Sequence, residues 1–223
     1  HLGVYNYEIG LPELGAEHTY GLEGSLGYMT DRTELKITSY QNYSPNYHLS
    51  KVMGEGYEPG ADWIEWGSGS AGWLYIYQMS GLEVYIHGYE SEFDYTLNDI
   101  ISFGGSFSAT RGRNLTDSSS LYYMPPDRIL LSTEINLLPF SINLMHKKVF
   151  NQNRIGLYES ATPGYETYNL IGTYTIRNSL TIHKIILQID NIFDRKYYNH
   201  LSRIKSIMPE KGRNIALQYR VNF

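Results

Sequence analysis

The sequence predicts an all-β fold, an antiparallel up-and-down sheet of the transmembrane-barrel type, and three observations carry that expectation. Apolar residues recur with period two in segment after segment, and at helical spacing almost nowhere. The connections between these segments alternate long and short without exception. The composition is rich in aromatic and small residues at low charge: of 223 residues, 22 are Tyr and 21 Gly, and only 18% are charged. Such a composition suits strands at a lipid–water boundary. Helical spans are excluded, because the longest uncharged stretch, Trp66 to Leu82, is broken by Gly and Ser.

The elements follow in order. Strands are predicted over 17–28 and 33–43; in the first, Tyr20, Leu22, Leu26 and Tyr28 oppose Thr19, Gly21, Glu23 and Ser25. The tight turn Met29–Arg32 joins them, and a very long connection, 44–72, leads to the next strand, 73–89. A shorter turn, Glu90–Tyr95, precedes 96–110, where Ile101, Phe103, Phe107 and Ala109 oppose Ser102, Gly104, Ser106 and Ser108. After the long segment 111–126 come 127–137 and 140–150, separated only by Leu138–Pro139. The long segment 151–164 leads to 165–176, which sets Tyr168, Leu170, Tyr174 and Ile176 against Thr167, Asn169, Thr173 and Thr175. A short Arg177–Ser179 turn opens 180–192, with Ile185, Leu187 and Ile189 against Lys184, Gln188 and Asp190. Last, beyond the long 193–211, the strand 212–223 carries Ile215, Leu217, Tyr219, Val221 and Phe223 on one face. Asn214, Gln218, Arg220 and Asn222 lie on the other.

Sorting loops by length onto two sides is what a barrel across an outer membrane requires, with short periplasmic turns and long extracellular loops. A soluble sandwich has no reason to do so. In this reading Ile185, Leu187, Ile189, Leu217, Tyr219 and Val221 face lipid, and Lys184, Gln188, Gln218 and Arg220 face the lumen. Single-chain bacterial barrels have even strand numbers. The nine strands counted therefore imply an incomplete barrel, with further strands N-terminal to His1.

Composition and motifs narrow the function. With no Cys there is no disulfide scaffold, thiolate metal site or thiol nucleophile. The Gly67-to-Gly72 match to GxGxxG lacks a following helix and reads as a loop. No two His lie close enough to form a local metal pair, and the strand carboxylates read as lumen-facing groups rather than a glycosidase pair. Covalent chemistry, a metal, a cofactor and a nucleic-acid partner are therefore not expected. The net charge of −5 is unevenly spread: residues 1–100 hold 15 acids and 3 bases, whereas 177–223 hold 3 acids and 9 bases. Uneven solvated loops explain this, and so does a basic rim that attracts anions.

The C-terminal motifs are more specific. Gln188-Ile-Asp-Asn191-Ile-Phe193-Asp194-Arg195-Lys-Tyr197 is followed by Pro209-Glu-Lys-Gly212-Arg213-Asn214 and the alternating run to Phe223. Glu17-to-Glu23, Ser80-to-Glu83 and Leu121-to-Arg128 precede them in order. Together these resemble the C-terminal barrel region of TonB-dependent outer-membrane receptors, with Ile192 in place of a Leu and Lys211 inserted before Gly212. The resemblance implies a 22-stranded barrel plugged by an N-terminal domain, with plug and earlier strands outside residues 1–223. It implies a receptor that imports a scarce ligand, such as a ferric siderophore, with energy from the TonB complex through the missing N-terminal region. Further implied partners are outer-membrane lipid and, through a terminal aromatic such as Phe223, the barrel-assembly machinery. For a small anionic, aromatic ligand the candidate contacts are Tyr57, Trp63 and Trp66 in one long loop, and Arg203 and Lys205 in the basic one. Ordinary loop packing explains any one of these residues equally well. The rival readings are a passive porin-type barrel and a soluble β-sandwich carbohydrate-binding module.

Overall fold

The computed structural model describes residues 6–52, 63–65, 73–156, 159–202, 204–205 and 207–223. Eleven strands form one sheet: β1 (Asn6–Ile9), β2 (Tyr20–Met29), β3 (Thr33–Val52), β4 (Trp63–Glu65), β5 (Trp73–Thr96), β6 (Ile101–Asn114), β7 (Arg128–Leu137), β8 (Phe140–Val149), β9 (Tyr165–Arg177), β10 (Ile182–Asp190) and β11 (Asn214–Asn222). Nine of them follow one another as antiparallel neighbours, in the order β11-β10-β9-β8-β7-β6-β5-β3-β2. The up-and-down meander is therefore as expected. A second packed layer, which a β-sandwich needs, is not present among the described residues.

Local chemistry explains the short turns. Thr30 accepts the Arg32 and Thr33 amides on its hydroxyl, closing the β2–β3 hairpin. Asn98 does the same for Ile100 and Ile101 between β5 and β6. Both are side-chain mimics of a backbone turn. The β5–β6 turn thus lies at 97–100, and the expected Glu90–Tyr95 turn is strand. Its charges mislead because Glu90, Glu92 and Asp94 all project from the same face, alternating with Ser91, Phe93 and Tyr95. The β3 strand also runs nine residues past the expected Tyr43, to Val52, bulging between Ser44 and Tyr47. The bulge accommodates Pro45, which has no N–H for the ladder. Asn46 there reaches back to donate to the Gly15 and Ala16 carbonyls.

Two short strands lie outside the nine counted from the sequence. Asn6 and Trp63 both pair with Tyr75, so β1 and β4 occupy opposite edges of the projecting part of β5. The β1 pairing is parallel, on the edge that β6 leaves free where its ladder ends at Val84–Asn114.

Register sorts the side chains onto two faces. Directly opposed residues share a face, so Leu217, Leu187, Gly172 and Ile142 form one row across β11 to β8. The next row on that face joins Tyr219, Ile185, Tyr174, Phe140 and Leu137. Most of these large apolar side chains are exposed, and only five hydrophobic residues among those described are buried. Aromatic residues collect at the two ends of this apolar face: Tyr28, Tyr95, Phe103 and Tyr219 toward the short turns, Tyr20, Tyr43, Tyr85 and Tyr168 toward the long loops. Tyr85 and Tyr95 are ten residues apart on β5. That is about 34 Å along a strand and about 25 Å across one tilted by about 40°.

The opposite face is polar. Acids gather on one side of it, with Glu34 opposite Asp94 and Lys36 opposite Glu92, while Lys184 opposes Arg220 on the other. The uneven charge of the sequence is thus carried partly by the wall, not by loops alone. A concavity of about 370 Å³ lies here, lined by Glu92, Asp94, Ser106, Ser132, Met145 and Lys147, among others.

Candidate functional site

Three long connections, 115–127, 150–164 and 191–213, leave the same end of the sheet and dock on one another. Their bases are fixed first. Asn191, at the end of β10, is buried and adopts a left-handed φ of 50°, a conformation Asn tolerates better than most residues. Its carboxamide accepts the Arg195 amide at 2.9 Å and donates to the Arg195 carbonyl at 2.9 Å and the Lys211 carbonyl at 3.4 Å. Asp194 then accepts the Arg213 amide at 2.7 Å. These bonds tie the start of the longest loop to its end. Tyr197 stacks on Tyr165 of β9, with centroids 4.2 Å apart. Across the way, Arg111 of β6 grips Asp127 with both guanidinium nitrogens, at 2.5 and 2.7 Å, and Arg154 adds a third contact at 3.4 Å.

The loops then meet in a buried polar node. Gln152, fully buried, donates to the Met124 carbonyl at 2.8 Å and exchanges backbone bonds with Thr162. Thr162 Oγ1 lies 3.0 Å from Nδ1 of His200. The Glu159 carboxylate accepts the amides of Tyr123, at 3.2 Å, and Gly156, at 3.1 Å, and the Lys205 ammonium at 3.1 Å. His200 Nε2 is 2.9 Å from the same carboxylate oxygen, angled off hydrogen-bond geometry. Side-chain exposure is 4% for Glu159, 1% for His200 and 7% for Lys205. Burial, and next the Lys205 ammonium, hold His200 below its ordinary value, against the pull of Glu159. From the third loop Leu121 is buried on Gly112 of β6, where any Cβ would stand 2.8 Å from its side chain.

No family model matches the chain. Among solved structures it is similar to the copper transporter OprC, at 22% identity and a TM-score of 0.76, covering 94% of this chain and 32% of that one. It is also similar to the FrpB iron transporter from Neisseria meningitidis (F3-3 variant), at 13% identity and a TM-score of 0.66, covering 95% and 32%. A third is a G324V mutant of the ferric enterobactin receptor PfeA from Pseudomonas aeruginosa, at 18% and 0.64, covering 93% and 31%. The chain has the fold of TonB-dependent outer-membrane receptors. It spans about a third of the length of each of these three structures.

In such a barrel the apolar face turns outward, the polar face lines the lumen and the docked loops stand at the extracellular mouth. Of the sequence-predicted ligand residues, Trp63 and Lys205 fall within the described structure. Trp63 lies on β4, and Tyr57, Trp66 and Arg203 fall outside the described residues. Lys205 is buried with its ammonium on Glu159 rather than at the surface. Phe223 is exposed, one residue past the end of β11, on which Leu217, Tyr219 and Val221 share the outward face. Sequence reasoning missed Glu159, His200, Gln152 and Thr162 altogether. Glu159 is 46 residues from Lys205 and 36 from Tyr123, so no local pattern announces the node. Among the described residues no group of His, Cys, Asp or Glu could hold a metal ion.

Proposed function

We propose that the chain is the C-terminal part of the barrel of an outer-membrane receptor that imports a scarce ligand, a ferric siderophore or similar iron or cofactor compound. Energy comes from the TonB complex, acting through an N-terminal region outside residues 1–223. The observation that carries this reading is the two-faced wall, an apolar band about 25 Å tall between aromatic rows, backed by a polar lumen face and crowned by interlocked long loops. The proteins it is similar to in fold are named for copper, iron and ferric enterobactin, which fits scarce-nutrient import as a class. Tyr57, Trp63 and Trp66 supply aromatic contacts and Arg203 a cation for an anionic guest. Lys205 contributes through the loop arrangement it holds. Outer-membrane lipid covers the apolar face, and the barrel-assembly machinery reads the last strand through Phe223.

The test is uptake of labelled ferric siderophores by cells carrying the intact gene, with and without a protonophore. Accumulation that stops when the inner membrane is de-energised is the expected result. Undiminished accumulation would make the protein a passive pore.

A further inference from the structure

The node formed by Glu159, His200 and Lys205 is the least exposed ionic cluster among the described residues, and it joins segments of three different loops. Its protonation state can be read from geometry. Lys205 Nζ lies 3.3 Å from Nδ1 of His200. An ammonium only donates, so in the state where Lys205 bonds Nδ1 that atom carries no proton and the neutral ring keeps its hydrogen on Nε2, on the side of Glu159. The groups around the imidazole are then Glu159 and Thr162 from the loop 150–164 and Lys205 from its own loop. From the loop 115–127 comes Tyr123, whose amide is bound to Glu159 and whose ring lies 5.7 Å from Lys205 Nζ. Among the described residues the Thr162 hydroxyl is the one acceptor beside Nδ1, and a cation sits next to it.

We propose that this node is a pH-sensitive latch on the extracellular mouth: neutral His200 holds the three loops in the docked arrangement, and protonation of His200 releases them. A proton arriving at Nδ1 would face the Lys205 ammonium across 3.3 Å, in a site with almost no water to screen the pair. The docked state therefore rejects the imidazolium, and the released state, with His200 in water, accepts it at an ordinary value of about 6.5. The sign follows by linkage. A histidine held below its free value favours the docked state fully above about pH 6.5, and that preference is lost as pH falls below it. The consequence for a receptor is a mouth that is closed over its wall at neutral pH and loosened in acid. The inference rests on the proposed function only in placing these loops outside the cell.

Residues 1–223 hold no cysteine, so once any cysteine elsewhere in the intact protein is replaced by Ser, spin labels can be placed at chosen sites. In the intact protein in outer-membrane vesicles, Ser118→Cys and Leu201→Cys would carry a label pair across two of the loops, at exposed positions. The interlabel distance distribution is expected to be narrow at pH 7.5 and broad at pH 5.5, with the change setting in below about 6.5. His200→Gln keeps a donor toward Glu159 and an acceptor toward Lys205 but cannot titrate, and its distribution is expected to stay narrow at both pH values. Glu159→Gln, which leaves the Lys205 charge buried without its partner, is expected to broaden it already at pH 7.5. An unchanged distribution at pH 5.5 in the otherwise native protein would overturn the proposal, as would the same acid transition in His200→Gln. Neither readout involves ligand or energy coupling, so failure here leaves the transport reading to its own test.

Discussion

At the scale of single residues, the motif at the base of the longest loop has a physical reason. Asn191 and Asp194 close that loop by bonding its far end, at Lys211 and Arg213. Asn191→Ala removes three bonds of its carboxamide and leaves the buried partners unpaired, at about 1–3 kcal/mol for each group that water cannot reach. The expected outcome is faster cleavage within 195–213 by a protease added outside intact cells. Cleavage at the native rate would mean that the turn holds without its side chain. The two basic ligand candidates carry separate predictions. Neutralising Arg203 is expected to weaken capture of an anionic ligand, with a loss that shrinks as salt rises, the signature of an attraction screened over about 8 Å at physiological ionic strength. Lys205→Gln leaves Glu159 buried without its cation, a loss of the order of 3–5 kcal/mol to the node, and its effect on capture should persist in high salt. The motif residues were legible in the sequence as a resemblance, without a reason. Glu159 was not legible, since its partners come together only when separate hairpins align.

At the scale of elements, the alternation of side chains was a sufficient guide to the nine meander strands because each strand has one apolar and one polar face. In 44–52 both faces carry polar or mixed residues and the rule loses its signal, whereas in 90–95 the alternation is intact and its acidic face reads as a turn. The small parallel strand β1 has a weak signature, with Tyr7 and Ile9 two residues apart, and it pairs where β5 outruns β6 and leaves an open edge. Packing across strands is tighter than the pattern suggests. Tyr40 of β3 lies over Gly88 of β5 and bonds Thr110 of β6 at 2.7 Å. A Cβ at Gly88 would stand 2.4 Å from the Tyr40 ring. Gly88→Val is therefore expected to cost about 1–3 kcal/mol through overpacking, seen as a lower temperature for the loss of the compact band in heat-modifiability gels. An unchanged temperature would mean that Tyr40 can leave the wall freely.

For the whole molecule, the account depends on which face of the sheet meets lipid. Phe223, exposed just beyond the short-turn end of β11, belongs to that question. As a girdle residue alone it is worth a few kcal/mol at most. As an assembly signal it acts on insertion, so Phe223→Ala in the intact receptor is expected to lower the amount assembled while leaving ligand affinity in the inserted molecules near normal. Assembled barrels that bind poorly would place the last residue at the wrong end. The most direct test of the wall itself is a scan of single cysteines along β10 and β11, labelled and quenched from the lipid side. Strong quenching at 185, 187, 217 and 219 with weak quenching at 184, 188, 218 and 220 is the expected result. The reverse pattern, or no alternation at all, would contradict the barrel wall described for this chain, since a shift of one residue turns every side chain to the other face.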